Sequence, residues 1–138
     1  MQPNKHRTWA EIDLGAIEHN YRVICEAAKA PVLCVVKADC YGHGAVPVAN
    51  RLQSMGAPYF AVATVPEAVE LRENGIEKPI IILGYIDAAD MDTVAEYGIT
   101  APVYDEETAE LLSAAAVRTG RDITVHNKLD TGMTRIGF

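Results

Sequence analysis

The sequence has no long hydrophobic run, no paired cysteines and no basic cluster, and each absence removes a class of function. Its longest apolar stretches, such as Val32 to Val36 and Pro79 to Leu83, are five or six residues, whereas a membrane span needs about 20. Met1 to Arg7 is polar and leads into Thr8-Trp9-Ala10-Glu11-Ile12-Asp13 without the apolar core of a secretory signal. Three cysteines, Cys25, Cys34 and Cys40, are an odd number with no C-x-x-C pair. They read as small buried or half-buried thiols in a reducing compartment, not as a disulfide frame or a zinc site. With 12 basic and 19 acidic side chains the formal charge is −7. An acidic chain repels phosphate backbones, and no run of lysine or arginine is dense enough to overcome that locally. A soluble cytoplasmic protein is expected, with neither membrane nor nucleic acid as partner.

What remains is ordinary globular material: 138 residues, 49% hydrophobic and 22% charged, which excludes disordered and fibrous chains. Continuous apolar runs at 31–37, 58–64, 79–85, 99–104 and 123–129 predict strands buried on both faces, as in a parallel sheet covered by helices. Helical patterns fill the gaps. Asp13 caps a stripe of Leu14, Ile17, Tyr21, Ile24 and Ala28, and Ala45, Val48, Ala49, Leu52 and Met55 form a second stripe closed by Gly56. Thr64-Val-Pro-Glu67 is a capping box opening a helix that ends at Asn74-Gly75. Asp87 and Asp90 start the next helix, which Gly98 ends, and Asp105 starts another that ends at Gly120.

Repeated βα units imply a doubly wound sheet or a (β/α)8 barrel. No G-x-G-x-x-G follows the first strand, so a dinucleotide fold loses support. A whole barrel needs eight strands and about 250 residues. The expectation is therefore an α/β chain forming an incomplete (β/α)8 barrel, with about five barrel strands, intervening helices and an N-terminal strand at Thr8 to Asp13.

Two segments carry chemistry. Lys37 ends an apolar strand, where an ammonium beside Val35 and Val36 is costly to desolvate and the free amine is favoured. An amine at the mouth of a parallel strand is placed to form a Schiff base with a carbonyl cofactor, although a lysine snorkelling into solvent has the same pattern. Ala38-Asp-Cys-Tyr41-Gly42-His43-Gly44 follows, a glycine turn before a helix. Helix-start N–H groups suit a phosphate, and Tyr41 could donate its hydroxyl to one; the glycines are equally ordinary punctuation. His43 reads as a satisfied loop histidine, and no second histidine or cysteine lies at metal spacing. The second segment, His126-Asn-Lys128-Leu-Asp130-Thr-Gly-Met-Thr-Arg135-Ile-Gly-Phe138, joins a strand end to a Thr-Gly turn. Arg135, with its planar fork, suits an oxygen anion such as a phenolate or carboxylate, or else a salt bridge with Asp130. Lys128 and Asp130 share a strand face and could pair.

Together, Val35-Val-Lys37-Ala-Asp-Cys-Tyr41-Gly-His-Gly44, Lys128-Leu-Asp-Thr-Gly-Met-Thr-Arg135-Ile-Gly and the opening Thr8-Trp-Ala-Glu-Ile-Asp-Leu14 through His19-Asn20 resemble the alanine racemase family over essentially the whole chain. Departures are small: Asp39-Cys40 where Asn-Ala is common, and Thr134 where Gly is common. The resemblance implies interconversion of L- and D-alanine, supplying D-alanine for cell-wall peptidoglycan, with pyridoxal 5'-phosphate as cofactor. Lys37 would form the imine with that cofactor and act as one of two catalytic bases. Tyr41 would contact the cofactor phosphate. Arg135 would contact its phenolic oxygen and help orient the substrate carboxylate. Lys128 matches a lysine that is carbamylated in some members.

The family's second base is a tyrosine of a C-terminal β-domain, contributed by the other subunit of a homodimer. The resemblance therefore implies that residues 1–138 are the N-terminal part of the barrel domain of a longer racemase. Alone, such a piece is expected to be inactive and to self-associate over its unpaired strand edges. Competing readings are a serine or other amino-acid racemase, a non-catalytic cofactor-binding or structural piece, and a decarboxylase or small cofactor-handling protein with a related barrel. The two lysine-containing signatures favour the racemase.

Overall fold

The computed structural model describes residues 8–138; the polar stretch 1–7 lies outside the described residues. Asp13 opens α1 (Leu14–Ala28), its Oδ1 accepting the N–H groups of Gly15 at 2.8 Å and Ala16 at 3.2 Å, which satisfies donors that the first helical turn leaves without partners. The chain continues through β1 (Leu33–Val35), a six-residue turn α2 (Lys37–Gly42), α3 (Ala45–Ser54), β2 (Tyr59–Val62) and α4 (Val65–Glu73). Then come β3 (Ile80–Ile82), a 3-10 turn at Ala88–Asp90, α5 (Met91–Glu96), β4 (Ala101–Val103), α6 (Glu106–Thr119) and β5 (Val125–Asn127). No helix of the described residues is long and apolar enough to cross a membrane.

All ladders are parallel. β1 pairs with β2 (Cys34 opposite Phe60), β2 with β3 (Ala61 opposite Ile81), and β4 with β5 (Pro102 opposite His126). A bridge from Ile81 to Thr100 joins the two groups, with Ile82 N–H donating to Thr100 O at 3.1 Å. Strand order thus follows chain order, as in a (β/α)8 barrel; a doubly wound sheet reverses direction after its first strand.

Helix stripes cover one side of this sheet: Val48, Ala49 and Leu52 from α3, Val65, Ala68 and Leu71 from α4, Met91 and Val94 from α5, Leu112 and Ala115 from α6. Phe60, Ile80, Ile82 and Val62 are buried on the strands beneath. Arg72 ties the far end together, donating to the carbonyls of Ile76, Lys78, Tyr97 and Gly98. The cysteines are free, with Cys34 buried and Cys25 and Cys40 half-buried; burial pushes the Cys34 thiol up to about 11.

Three expectations need correction. Strand cores are three or four residues long, shorter than the apolar runs that contain them. Burial on both faces holds for β3 and β4 and for most of β2, but β1 exposes Leu33 and Val35, and β5 is exposed throughout. Each of these outer strands has a ladder neighbour on one edge only, and apolar side chains stay exposed where no neighbouring element covers them. Thr8 to Asp13, expected as a strand, has no regular structure. A strand requires a ladder partner, and the described residues supply none there.

Candidate active site

The last ladder bond of β1 runs from Val36 N–H to Ala61 O at 2.9 Å. Beyond it Lys37, half-buried, begins α2, which winds left-handed: Ala38, Asp39, Cys40 and Tyr41 all have φ of 51° to 52° and ψ of 39° to 50°. For residues with a Cβ this conformation costs about 1–2 kcal/mol each, so the turn needs outside restraint. Four bonds hold it, the first of them from a distant element. Ala38 N–H donates to Glu67 Oε1 at 2.8 Å, and Ala45 N–H donates to Asp39 Oδ1 at 2.7 Å. Gly44 N–H donates to Asp39 O at 3.1 Å. His43 Nδ1 lies 2.9 Å from the Cys40 carbonyl, a bond that places its proton on that nitrogen. Gly42 and Gly44, at φ 88° and 85°, carry the chain out of the turn into α3.

The second segment also folds onto itself. Lys128 N–H donates to Val103 O at 2.8 Å, extending the β4–β5 ladder. Asp130 N–H donates to Phe138 O at 2.9 Å and Phe138 N–H returns to Lys128 O at 3.0 Å, closing a loop over 128–138. A Cβ on Gly137 would stand 2.8 Å from Asp130 N and 3.0 Å from Lys128 O, so this closure requires glycine. Inside the loop Asp130 Oδ1 accepts from Gly132 N–H at 2.9 Å and Thr134 N–H at 3.0 Å. The Thr134 and Gly132 amides hold the Asp130 carboxyl below the usual carboxylate range.

These two segments meet. Lys37 and Arg135 line one cavity of about 300 Å3, together with Ala63, Leu83, Gly84, Tyr85 and Ile136. All follow the carboxyl ends of parallel strands, where barrel enzymes place their chemistry. Gly84 allows the walls to approach: a Cβ there would lie 2.5 Å from Ala63 O. Gly84→Ala is accordingly expected to push apart the ends of β2 and β3, destabilising the fold by about 1–3 kcal/mol. A urea titration measures that loss, and unchanged stability would show that the contact relaxes freely. On the rim Tyr85 packs against Tyr104, ring centroids 6.1 Å apart and 37° between planes. The Tyr104 hydroxyl is buried with no hydrogen-bond partner among the described residues.

Other expected site residues stay apart. Tyr41 is 71% exposed and lines a separate groove with Tyr21, Cys34 and His43 between α1 and β1. Lys128 is half-buried and is not among the cavity's lining residues. Neither Lys128 nor Arg135 makes an ion pair with Asp130 among the described residues. At the start of α3, where the glycine turn suggested an anion site, the Ala45 N–H donates to the chain's own Asp39 carboxylate. Leu83, Gly84 and Tyr85 were not legible as site residues, although their place just beyond an apolar strand was the available signal.

A family profile, "Alanine racemase, N-terminal domain", matches residues 12–138. The chain is 45% identical over 132 residues to an alanine racemase of Symbiobacterium thermophilum, covering 95% of this chain and 35% of that protein. It is 48% identical over 131 residues to one of Desulfovibrio desulfuricans, covering 94% and 35%. Thus the chain spans about a third of the length of these curated relatives. Among solved structures, alanine racemase of Clostridium difficile superposes with a TM-score of 0.92 at 43% identity, covering 97% of this chain and 36% of that one. A histidine racemase from Leuconostoc mesenteroides superposes with a TM-score of 0.85 at 33% identity, covering 92% and 34%. Profile, relatives and superposition agree with the signatures around Lys37 and Arg135: the chain belongs to the alanine racemase family and forms part of its barrel.

Proposed function

We propose that these residues are the N-terminal part of the barrel domain of a pyridoxal phosphate-dependent alanine racemase, in which Lys37 and Arg135 act on cofactor and substrate. The observation that carries this reading is their convergence on one cavity from opposite ends of the chain. The donor set fits the ring end of the cofactor: a primary amine to condense with an aldehyde, and a guanidinium to hold a phenolate. For the phosphate end the candidate among the described residues is Tyr41, which lines the neighbouring groove.

When bound, pyridoxal phosphate supplies an electron sink for the electron pair left behind when an α-proton departs. Lys37 Nζ takes that proton on one face of the substrate and can return it there. Racemisation needs a second acid or base on the opposite face. The resemblance assigns it to a tyrosine of a second subunit, so a homodimer belongs to this proposal. Arg135 orients the substrate carboxylate. Lys128, at the end of β5, is proposed as the carbamylated lysine of the family. Its new anion would steady the arginine.

Exposed apolar positions on the outer strands, Leu33, Val35 and Val125, support a barrel that continues beyond them. Alanine is the proposed substrate because the curated relatives carry that name. The histidine racemase among the structural neighbours supports a second reading, another amino acid as substrate on the same scaffold.

Incubation of the complete protein with pyridoxal phosphate, borohydride reduction and peptide mapping tests the site. The label is expected on Lys37, and a protein left unlabelled there loses this reading. Chiral analysis of products from alanine, serine and histidine then assigns the substrate.

A further inference from the structure

Left-handed backbone over four successive residues with a Cβ is the most strained feature of the described chain, and it begins directly after Lys37. Its one restraint from a distant element is Glu67, the third residue of α4. An acid at that position ordinarily caps its own helix, and Glu67 does so, Oε2 accepting from Thr64 N–H at 3.2 Å. The same Oε2 also accepts from Ala63 N–H at 2.7 Å, at the end of β2, while Oε1 reaches across to Ala38 N–H at 2.8 Å. One carboxylate therefore collects three backbone donors from the carboxyl ends of two adjacent strands. These amides lie just beyond the last β1–β2 ladder bond, and the carboxylate supplies the acceptors that the ladder no longer offers there.

We propose that Glu67 is a positioning residue for Lys37, acting through the Ala38 amide; this rests on the reading of Lys37 given above. The Ala38 N–H belongs to the peptide group that Lys37 itself begins. Gripping it fixes ψ of Lys37 and so the direction in which the amine leaves the backbone. Because the other oxygen holds Ala63, a wall residue of the cavity, the amine and the wall opposite are referred to one rigid group. A carboxylate suits the task because both oxygens accept. A carboxamide of the same shape has one accepting oxygen, so Glu67→Gln must release either Ala38 or the Ala63–Thr64 pair.

The test compares wild type, Glu67→Gln and Thr64→Ala in the complete protein. Thr64→Ala weakens the start of α4 without touching Ala38, and so controls for a cap-only role. In the cofactor-free protein, hydrogen exchange over residues 37–44 is expected to quicken about tenfold in Glu67→Gln, the worth of one charge-assisted hydrogen bond, and to stay within about twofold in Thr64→Ala. The dissociation constant of pyridoxal phosphate, read from its absorbance, is expected to rise about tenfold in Glu67→Gln alone. Equal behaviour of the two variants overturns the proposal and leaves Glu67 as a helix cap. A wild-type protein that takes up no cofactor at Lys37 overturns the reading of the site instead, and the exchange rates still decide the anchor.

Discussion

Replacing Lys37 with alanine in the complete protein is expected to lower racemisation by on the order of 10^3-fold or more, because the proposed function gives the amine two tasks: attachment of the cofactor and proton transfer on one face. Circular dichroism of the amino-acid product measures the first loss, and borohydride labelling shows whether attachment has gone. Lys37→Arg is expected to be as inactive as Lys37→Ala. A guanidinium keeps the positive charge but stays protonated, so it neither condenses with an aldehyde nor removes a proton. That pair of variants separates charge from basicity: if arginine restored turnover, Lys37 would serve as a cation and the role of base would belong elsewhere. Lys37 follows β1, an outer strand, in line with its exposed face of Leu33 and Val35. Core packing hardly depends on its side chain, and the stability of both variants is expected to stay close to wild type. The rate loss is then chemical in origin.

How much of this was legible in the sequence depends on whether the determining contacts are local. Asp13, Thr64 with Glu67, Asp87 and Asp105 were readable as helix starts because a cap is decided within three residues, and each is found there. The order of parallel strands followed from apolar runs alternating with amphipathic ones. Where distant partners decide, the reading failed. Of Ala38 to Tyr41 only Asp39 is a type that visits left-handed backbone readily; the turn is held by Glu67, 29 residues from Ala38, and by the start of α3. Thr8 to Asp13 have a strand's pattern and no ladder partner among the described residues. Lys37 and Arg135 stand out in the sequence because their motifs are specific, and both line the same cavity. Leu83, Gly84 and Tyr85 were missed because their types are common, and only the closing of β3 against β2 makes them walls of the cavity.

Arg135 should show the second large effect, and its cause lies in how the 128–138 loop is held. The arginine is exposed and has no ion pair among the described residues, so its direction is set by backbone. Asp130 Oδ1 fixes the amides of Gly132 and Thr134, and Thr134 takes φ of 54° immediately before it. Arg135→Lys is expected to lower kcat about 10^2-fold, since a lysine offers a point charge where the planar fork would grip two oxygens at once. Asp130→Ala is expected to cost about tenfold while leaving the guanidinium intact, because the loop then samples other conformations. The pH dependence has a definite sign. The folded carboxyl of Asp130 is held below its ordinary range by those amides, so its contribution is present above the unfolded carboxylate value and is lost as pH falls through the lower folded one. Wild-type turnover relative to Asp130→Ala should therefore hold constant from neutral pH down through the ordinary carboxylate range, and converge on the variant only in stronger acid. Convergence already near neutral pH would mean that Asp130 does not hold the arginine.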